Sequence, residues 1–126
     1  MSSARRLSAW ILIGLLTALF VMSAVMKLTQ SKDVVEGFAK LGLTKWTLII
    51  GVGELLSALL FFIPRTHSLG TLLLSSYMGG AIIVHMTQGE SIVGPSVILL
   101  LVWLAAWLRD PRVLASFHRR PPVAPV

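Results

Sequence analysis

The sequence contains no cysteine. Disulfide frameworks, thiolate metal sites and thiol redox chemistry are therefore excluded. It is also poor in charge: 13% of residues are Asp, Glu, Lys or Arg, against roughly 25% in an average soluble chain. No phosphate-binding loop, zincin motif or serine-hydrolase elbow occurs in it. What it has in excess is apolar surface. Of 126 residues, 56% are hydrophobic, and the mean hydropathy is +0.85. A soluble domain this short cannot hide so much apolar surface, so lipid must be part of its solvent.

The few charges mark the edges of four apolar intervals. No charge lies between Arg6 and Lys27, and Glu54 alone interrupts the run from Lys45 to Arg65. Only His67 and His85 stand between Arg65 and Glu90, and nothing charged separates Glu90 from Arg109. Each interval approaches the ~20 residues that a helix needs to cross a ~30 Å hydrocarbon core. Helices are required because they satisfy their own backbone groups in lipid. The sequence thus predicts an all-α fold, a four-helix transmembrane bundle over residues 1–110, with spans near 8–28, 46–63, 67–88 and 92–109. Residues 111–126 are basic and proline-rich and read as a disordered tail. The first span reads as an uncleaved signal-anchor, because its apolar run exceeds the ~7–15 residues of a cleaved signal.

The net charge of +6 would suggest nucleic acid in a soluble protein. Here no basic stripe with interleaved aromatics appears, which argues against it. The basic residues flank the spans, where topology determinants and contacts to anionic lipid belong. Seven arginines fall on the side of the two termini and four lysines on the other. The positive-inside rule then places both termini in the cytoplasm. In the long loop after the first span, Asp33-Val34-Val35-Glu36 reads as a helix N-cap with its reciprocal partner. Val34, Val35, Phe38 and Leu41 share a face, and Gly42 suits the residue after the helix end. A short amphipathic helix between helices 1 and 2 is expected there, lying in the membrane interface. Trp10, Trp46, Trp103 and Trp107 sit near span ends as an aromatic belt. The patterns Gly14-x-x-x-Ala18, Gly53-x-x-x-Ser57, Ser75-x-x-x-Gly79 and Ser76-x-x-x-Gly80 read as helix-packing positions.

Ionisable residues inside hydrocarbon are costly and call for a reason. Glu54 is the strongest such signal, ~12 Å below the start of its helix. Thr47, Ile50, Gly51, Ser57, Ala58 and Phe61 share its face, which is largely small or polar. Glu54 is therefore expected to point into the bundle. Lys27 ends the first span and reaches inward along its stem, and His85 nears the end of the third. The three residues form an expected polar intramembrane cluster, with Ser75, Tyr77 and Gln88 as contributors on the His85 side. Two readings compete. One is a structural ion pair that gives the bundle specificity. The other is a site for proton relay or a small ligand.

No cofactor is dictated by these residues; a haem is left open. His67 and His85 lie 18 residues apart on one helix, hence ~27 Å, so one chain cannot place both on one haem. A metal held by Glu54 and His85 alone has too few ligands, and no metal is predicted.

The stretch Gly51-x-Gly53-Glu54-Leu55-Leu56-x-Ala58-Leu59-Leu60-Phe61-x-Ile63-Pro64-Arg65-Thr66 is followed by Leu69-Gly70-x-Leu72-Leu73-Leu74 and Met78-Gly79-Gly80-Ala81-Ile82-x-x-His85. With Lys27-Leu28, Phe38-x-x-x-Gly42 and Arg109-x-Pro111-Arg112, it resembles the DoxX-like family of small four-helix bacterial membrane proteins. The resemblance implies a four-helix bundle in the bacterial inner membrane. Lys27, Glu54 and His85 match the family's polar positions. It further implies a non-catalytic or accessory subunit, of the kind associated with a quinone-linked oxidoreductase, more than an enzyme in its own right. The bilayer, a membrane or redox protein, and further copies of the chain are the partners this reading allows.

Overall fold

The structure, a computed structural model, describes residues 2–117. Among them five α-helices and two short 3₁₀ segments occur, with no strand. Helix α1 spans Ser3–Leu28, α2 Lys32–Lys40, α3 Thr47–Phe62, α4 His67–Thr87 and α5 Val93–Arg109. The 3₁₀ segment Thr44–Trp46 leads into α3. Helix α1 packs on α3 and α5, and α4 packs on the same two, so the four long helices close a ring.

Ser2 starts α1 five residues before the expected span, its hydroxyl accepting the Arg5 N–H at 3.1 Å. The short helix α2 starts differently from the expectation. Its N-cap position is Ser31, without a side-chain cap bond, and Asp33 lies in the first turn. There Asp33 still faces the positive end of the helix dipole. At the other end Gly42 adopts φ +71°. The Leu43 N–H reaches the Phe38 carbonyl at 2.9 Å and the Gly42 N–H reaches Ala39 at 3.2 Å. These two bonds close the left-handed helix cap that a glycine at this position favours. The same bond pattern ends α1 at Gln30, which takes φ 51° without being glycine.

Three helices are long and apolar enough to cross a membrane: Ser3–Leu28, Thr44–Phe62 with its 3₁₀ start, and His67–Thr87. Fewer than a third or so of the residues in these windows are buried inside the protein: 28%, 33% and 22%. Large side chains such as Leu15, Ile49, Leu72 and Leu100 face outward. Continuous apolar exposure on this scale is a liability in water and a fit to lipid. The inner face is a close-packed core in which Ile13, Phe61, Leu74 and Val102 are fully buried.

Small residues set two helix crossings, but not those the small-xxx-small patterns suggested. A Cβ on Gly70 would lie 2.1 Å from the backbone nitrogen of Phe61, so α3 and α4 touch there backbone to backbone. A Cβ on Gly51 would stand 3.0 Å from Cβ of Lys27, at the α1–α3 crossing. Gly14, Gly53, Gly79 and Gly80 meet no neighbour within 4 Å.

Beyond α5, Pro111–Phe117 forms 3₁₀ turns with a kink at Leu114. There Asp110 accepts bonds from the Arg112 backbone and guanidinium. The basic and proline-rich residues 118–126 lie outside the described residues.

Candidate functional site

Helix α3 buries Thr47, Gly51, Glu54, Ser57, Ala58 and Phe61, while Ile50 is half-buried. This stripe follows helical spacing and turns Glu54 away from lipid. Glu54 is 1% exposed and Lys27 7%. The Lys27 ammonium donates to Glu54 Oε1 at 2.9 Å and to the Ser23 hydroxyl at 2.8 Å. Ser23 in turn donates to Glu54 Oε1 at 3.1 Å. Ser23 and Lys27 are four residues apart on α1, so they lie on one face by helix geometry. Gly51 permits the approach, since its missing side chain makes room for the stem of Lys27.

An ammonium has three donors, and two are used in this triangle. The third lies toward Tyr77, whose ring centroid is 5.6 Å from Nζ. That distance suits a cation–π contact. Tyr77 is itself braced edge-on by Phe20, 6.3 Å between centroids.

The pair borders a cavity of about 420 Å³ at the end of the bundle that carries α2. Lys27 forms part of its wall, and Glu54 stands behind Lys27. Helix α4 supplies Ser76, Tyr77, Gly80, Ala81, Val84 and His85. Phe38 and Leu41 of α2 cover it, with Leu43 and Ile50 at the start of α3. On α2 the half-buried positions are Val34, Gly37 and Phe38, and Leu41 just after it is half-buried too, whereas Val35 is exposed. The walls are thus mostly apolar, with an ammonium, a phenol, a hydroxyl and an imidazole set into them. Sites for small molecules have this make-up: apolar walls with a few fixed polar groups.

The sequence-predicted cluster is brought together only in part. Lys27, Glu54 and Tyr77 adjoin. His85 lines the same cavity, but it does not touch the ion pair. Its Nδ1 bonds the Ala81 carbonyl at 2.8 Å, and its Nε2 lies 3.6 Å from Glu90 at the rim. Ser75 faces α5 instead, accepting the indole N–H of Trp103 at 3.1 Å. Gln88 lines a separate shallow recess with Asp33 and Glu90. Two cavity or network residues escaped sequence reasoning, Ser23 and Ser76. Ser23 carried a usable signal in its i, i+4 spacing to Lys27. Ser76 did not, because a one-residue rotation of α4 decides between it and Ser75.

The opposite end of the bundle shows another arrangement that composition did not reveal. Arg5 donates to the carbonyls of Leu108 at 3.1 Å and Trp107 at 2.8 Å. Its guanidinium lies 4.2 Å from the Trp107 ring centroid. Arg109 likewise donates to the carbonyls of Phe62, at 2.8 Å, and Phe61. Each arginine therefore satisfies the orphan carbonyls at the C-terminus of a neighbouring helix, where the dipole is negative. These residues were expected only to set topology and meet lipid. Nearby, His67 Nε2 lies 3.2 Å from Asp110. The Arg112 guanidinium bonds both oxygens of Asp110 and holds its carboxyl down at about 2.

A family model for the DoxX-like family matches residues 11–107, a stretch that includes Lys27, Glu54, Tyr77 and His85. The chain belongs to the DoxX-like family. No curated protein and no solved structure matches it. As a DoxX-like chain with several apolar helices of spanning length, it is a multi-pass membrane protein. Among the described residues, no group of three or more His, Asp or Glu side chains comes together as a metal site would require.

Proposed function

We propose that this DoxX-like protein binds a small, mainly apolar molecule with a hydrogen-bonding head, the head set against Lys27 and Tyr77. The observation that carries the reading is a buried ion pair bordering an apolar cavity of about 420 Å³. A purely structural pair would be enclosed by packed side chains; here the ammonium forms part of a cavity wall, beside the Tyr77 ring, where a ligand head can meet it. Glu54 balances the charge of Lys27, so a neutral acceptor such as a carbonyl is favoured over an anion. A quinone belongs to this class, with two carbonyl acceptors on an apolar body.

In this reading all four long helices span the bilayer. Helix α5 has 17 residues, the short end of the ~17–25 that suffice. The seven arginines on the side of the termini, Arg65 between α3 and α4 among them, put both termini in the cytoplasm and the cavity in the outer half of a bacterial inner membrane. Helix α2 then lies in the outer interface as a cover, its Phe38 face on the cavity. The protein acts as an accessory binding subunit, beside a redox enzyme where the ligand is a quinone. A haem on His85 is not favoured, since Nε2, the ring nitrogen left by the Nδ1–Ala81 bond, lies 3.6 Å from the Glu90 carboxylate.

The test uses the protein extracted mildly from its native membrane. Mass spectrometry of the released small molecules should find one apolar species near stoichiometry. Gly80→Leu should abolish its retention without loss of fold, because Gly80 lines the cavity and meets no neighbour. Equal retention by both proteins contradicts the reading. Cysteine labelling at the exposed Lys32, in a chain without native cysteine, tests the orientation. Reaction only after permeabilisation reverses it.

A further inference from the structure

The end of the bundle opposite Lys27 holds a second cavity, of about 710 Å³ and walled mostly by charged and titratable residues, that the proposed function does not use. Arg5, His67, Arg109, Asp110 and Arg112 form its walls with Pro64 and Pro111. Among the described residues Asp110 is the only carboxylate there, and it is taken by Arg112. Arg5 and Arg109 meet carbonyl oxygens, not carboxylates. A neighbouring recess shares His67, Asp110 and Arg112 and adds Arg65, which is exposed and takes part in none of the described bonds. Positive charge is therefore in excess and unneutralised.

The start of α4 faces the same space and is uncapped. The Thr66 hydroxyl donates backward to the Leu60 carbonyl at 2.8 Å. The first helical backbone bond runs from Gly70 to Thr66, so the N–H groups of His67, Ser68 and Leu69 are left over, as at any uncapped N-terminus. His67 is 7% exposed, and its Nδ1 has no partner. Guanidinium groups, free amide hydrogens and a positive helix end together are suited to a phosphate.

The surroundings decide which phosphate. A smaller cavity of about 210 Å³ shares Pro64 and Arg109 and is otherwise formed by Arg6, Ala9 and Trp10 of α1. Beside it Leu7, Trp10, Phe62 and Ile63 are exposed, and the rings of Trp10 and Phe62 meet edge-on at 5.8 Å. A charged pocket thus continues into an apolar track on the lipid-facing surface. A free phosphate would use the first and leave the second idle.

We infer that this end binds one anionic phospholipid, its headgroup phosphate among Arg65, Arg112 and the start of α4, its acyl chain along Trp10 and Phe62. The site is independent of the cavity at Lys27.

The test titrates the full-length protein, purified in a neutral detergent, with phosphatidylglycerol, phosphatidylcholine or inorganic phosphate. Bound lipid is read by native mass spectrometry and stability by thermal unfolding. Phosphatidylglycerol should be retained and should raise the unfolding temperature, while phosphatidylcholine and phosphate should do neither. Replacing Arg65 and Arg112 by Gln should weaken phosphatidylglycerol binding by roughly 25-fold, about fivefold for each charge. Loss of the Arg112–Asp110 pair also lowers the lipid-free unfolding temperature, so the shift on adding lipid is read against each variant's own lipid-free value. Arg65→Gln alone touches no described bond and should cost roughly fivefold even if the double variant folds poorly. Equal retention of the two lipids, or full retention by Arg65→Gln, overturns the proposal. Stabilisation by inorganic phosphate equal to that by phosphatidylglycerol assigns the pocket to a free anion and overturns it as well.

Discussion

Replacing Glu54 by Ala removes the only carboxylate that faces Lys27. The ammonium is then left 7% exposed, with Ser23 as its remaining hydrogen-bond acceptor. Ser23 loses its own acceptor at the same time. Breaking one partner of a buried ion pair costs about 3–5 kcal/mol, because the surviving charge is neither solvated nor compensated. Lys40→Ala, on the exposed side of α2, should cost about 0–0.5 kcal/mol. The double replacement Glu54→Leu with Lys27→Met removes both charges and keeps similar volumes. It should recover most of the loss, since an apolar pair can replace a buried ion pair at little cost. The assay is reversible unfolding in mixed micelles, followed by tryptophan fluorescence, over the cycle of Glu54→Leu, Lys27→Met and the two together, with Glu54→Ala beside it. The two single losses should exceed the double loss by at least ~2 kcal/mol, within reach of directly contacting residues. Additive losses, or a Glu54→Ala cost no larger than that of Lys40→Ala, would refute the coupling. Stability returning in the double variant while ligand retention does not would separate the structural part of the pair from its binding part.

The remaining predictions concern positions outside that pair. Gly70→Ala should destabilise by about 1–3 kcal/mol, because its Cβ would enter the backbone of Phe61 and force α3 from α4. Gly79→Ala, which meets nothing, should be neutral or stabilise by up to about 1 kcal/mol; unfolding of the two variants compares them directly. Arg109→Gln should shorten the reach to the carbonyls of Phe61 and Phe62 and cost about 1.5–3 kcal/mol. Arg6→Gln, which makes none of those bonds, serves as the control. Asp110 titrates lower in the folded protein, near 2, than its ordinary 3.8. Its contribution to stability is therefore full above about pH 5 and is lost as pH falls through 4 toward 2. Asp110→Asn should remove that part of the acid dependence, and an unchanged acid profile would contradict the Arg112 pairing.

Much of this fold was legible because hydrocarbon imposes strong rules on sequence. Intervals free of charge, about twenty residues long, leave a chain few options besides helices. Glu54 announced its inward face because small and polar residues recur around it at helical spacing. Gly42 announced the end of α2 for a conformational reason that acts locally. What could not be read depends on how helices rotate and approach one another. Ser75 and Ser76 differ by one step, about 100° around α4, and only packing chooses which one reaches the cavity. Gly70 looks no different in sequence from Gly79, yet it alone lies on the backbone of α3. Arg5 and Arg109 looked like membrane-edge charges, and they also close the ends of helices far away in sequence. His85 lines the cavity beside Lys27, but its Nε2 turns to Glu90, only five residues on, a local pairing that depends on the rotamer and not on the helix face.

The central claim is that the space beside Lys27 receives a ligand. The most direct measurement is an experimental density map of the protein in native-membrane nanodiscs. The account predicts an elongated non-protein feature between α2 and α4, its head about 2.7–3.2 Å from Lys27 Nζ, a normal hydrogen-bond distance. Phe38 and Leu41 packed directly onto Tyr77, with the cavity closed and no such feature, would contradict it.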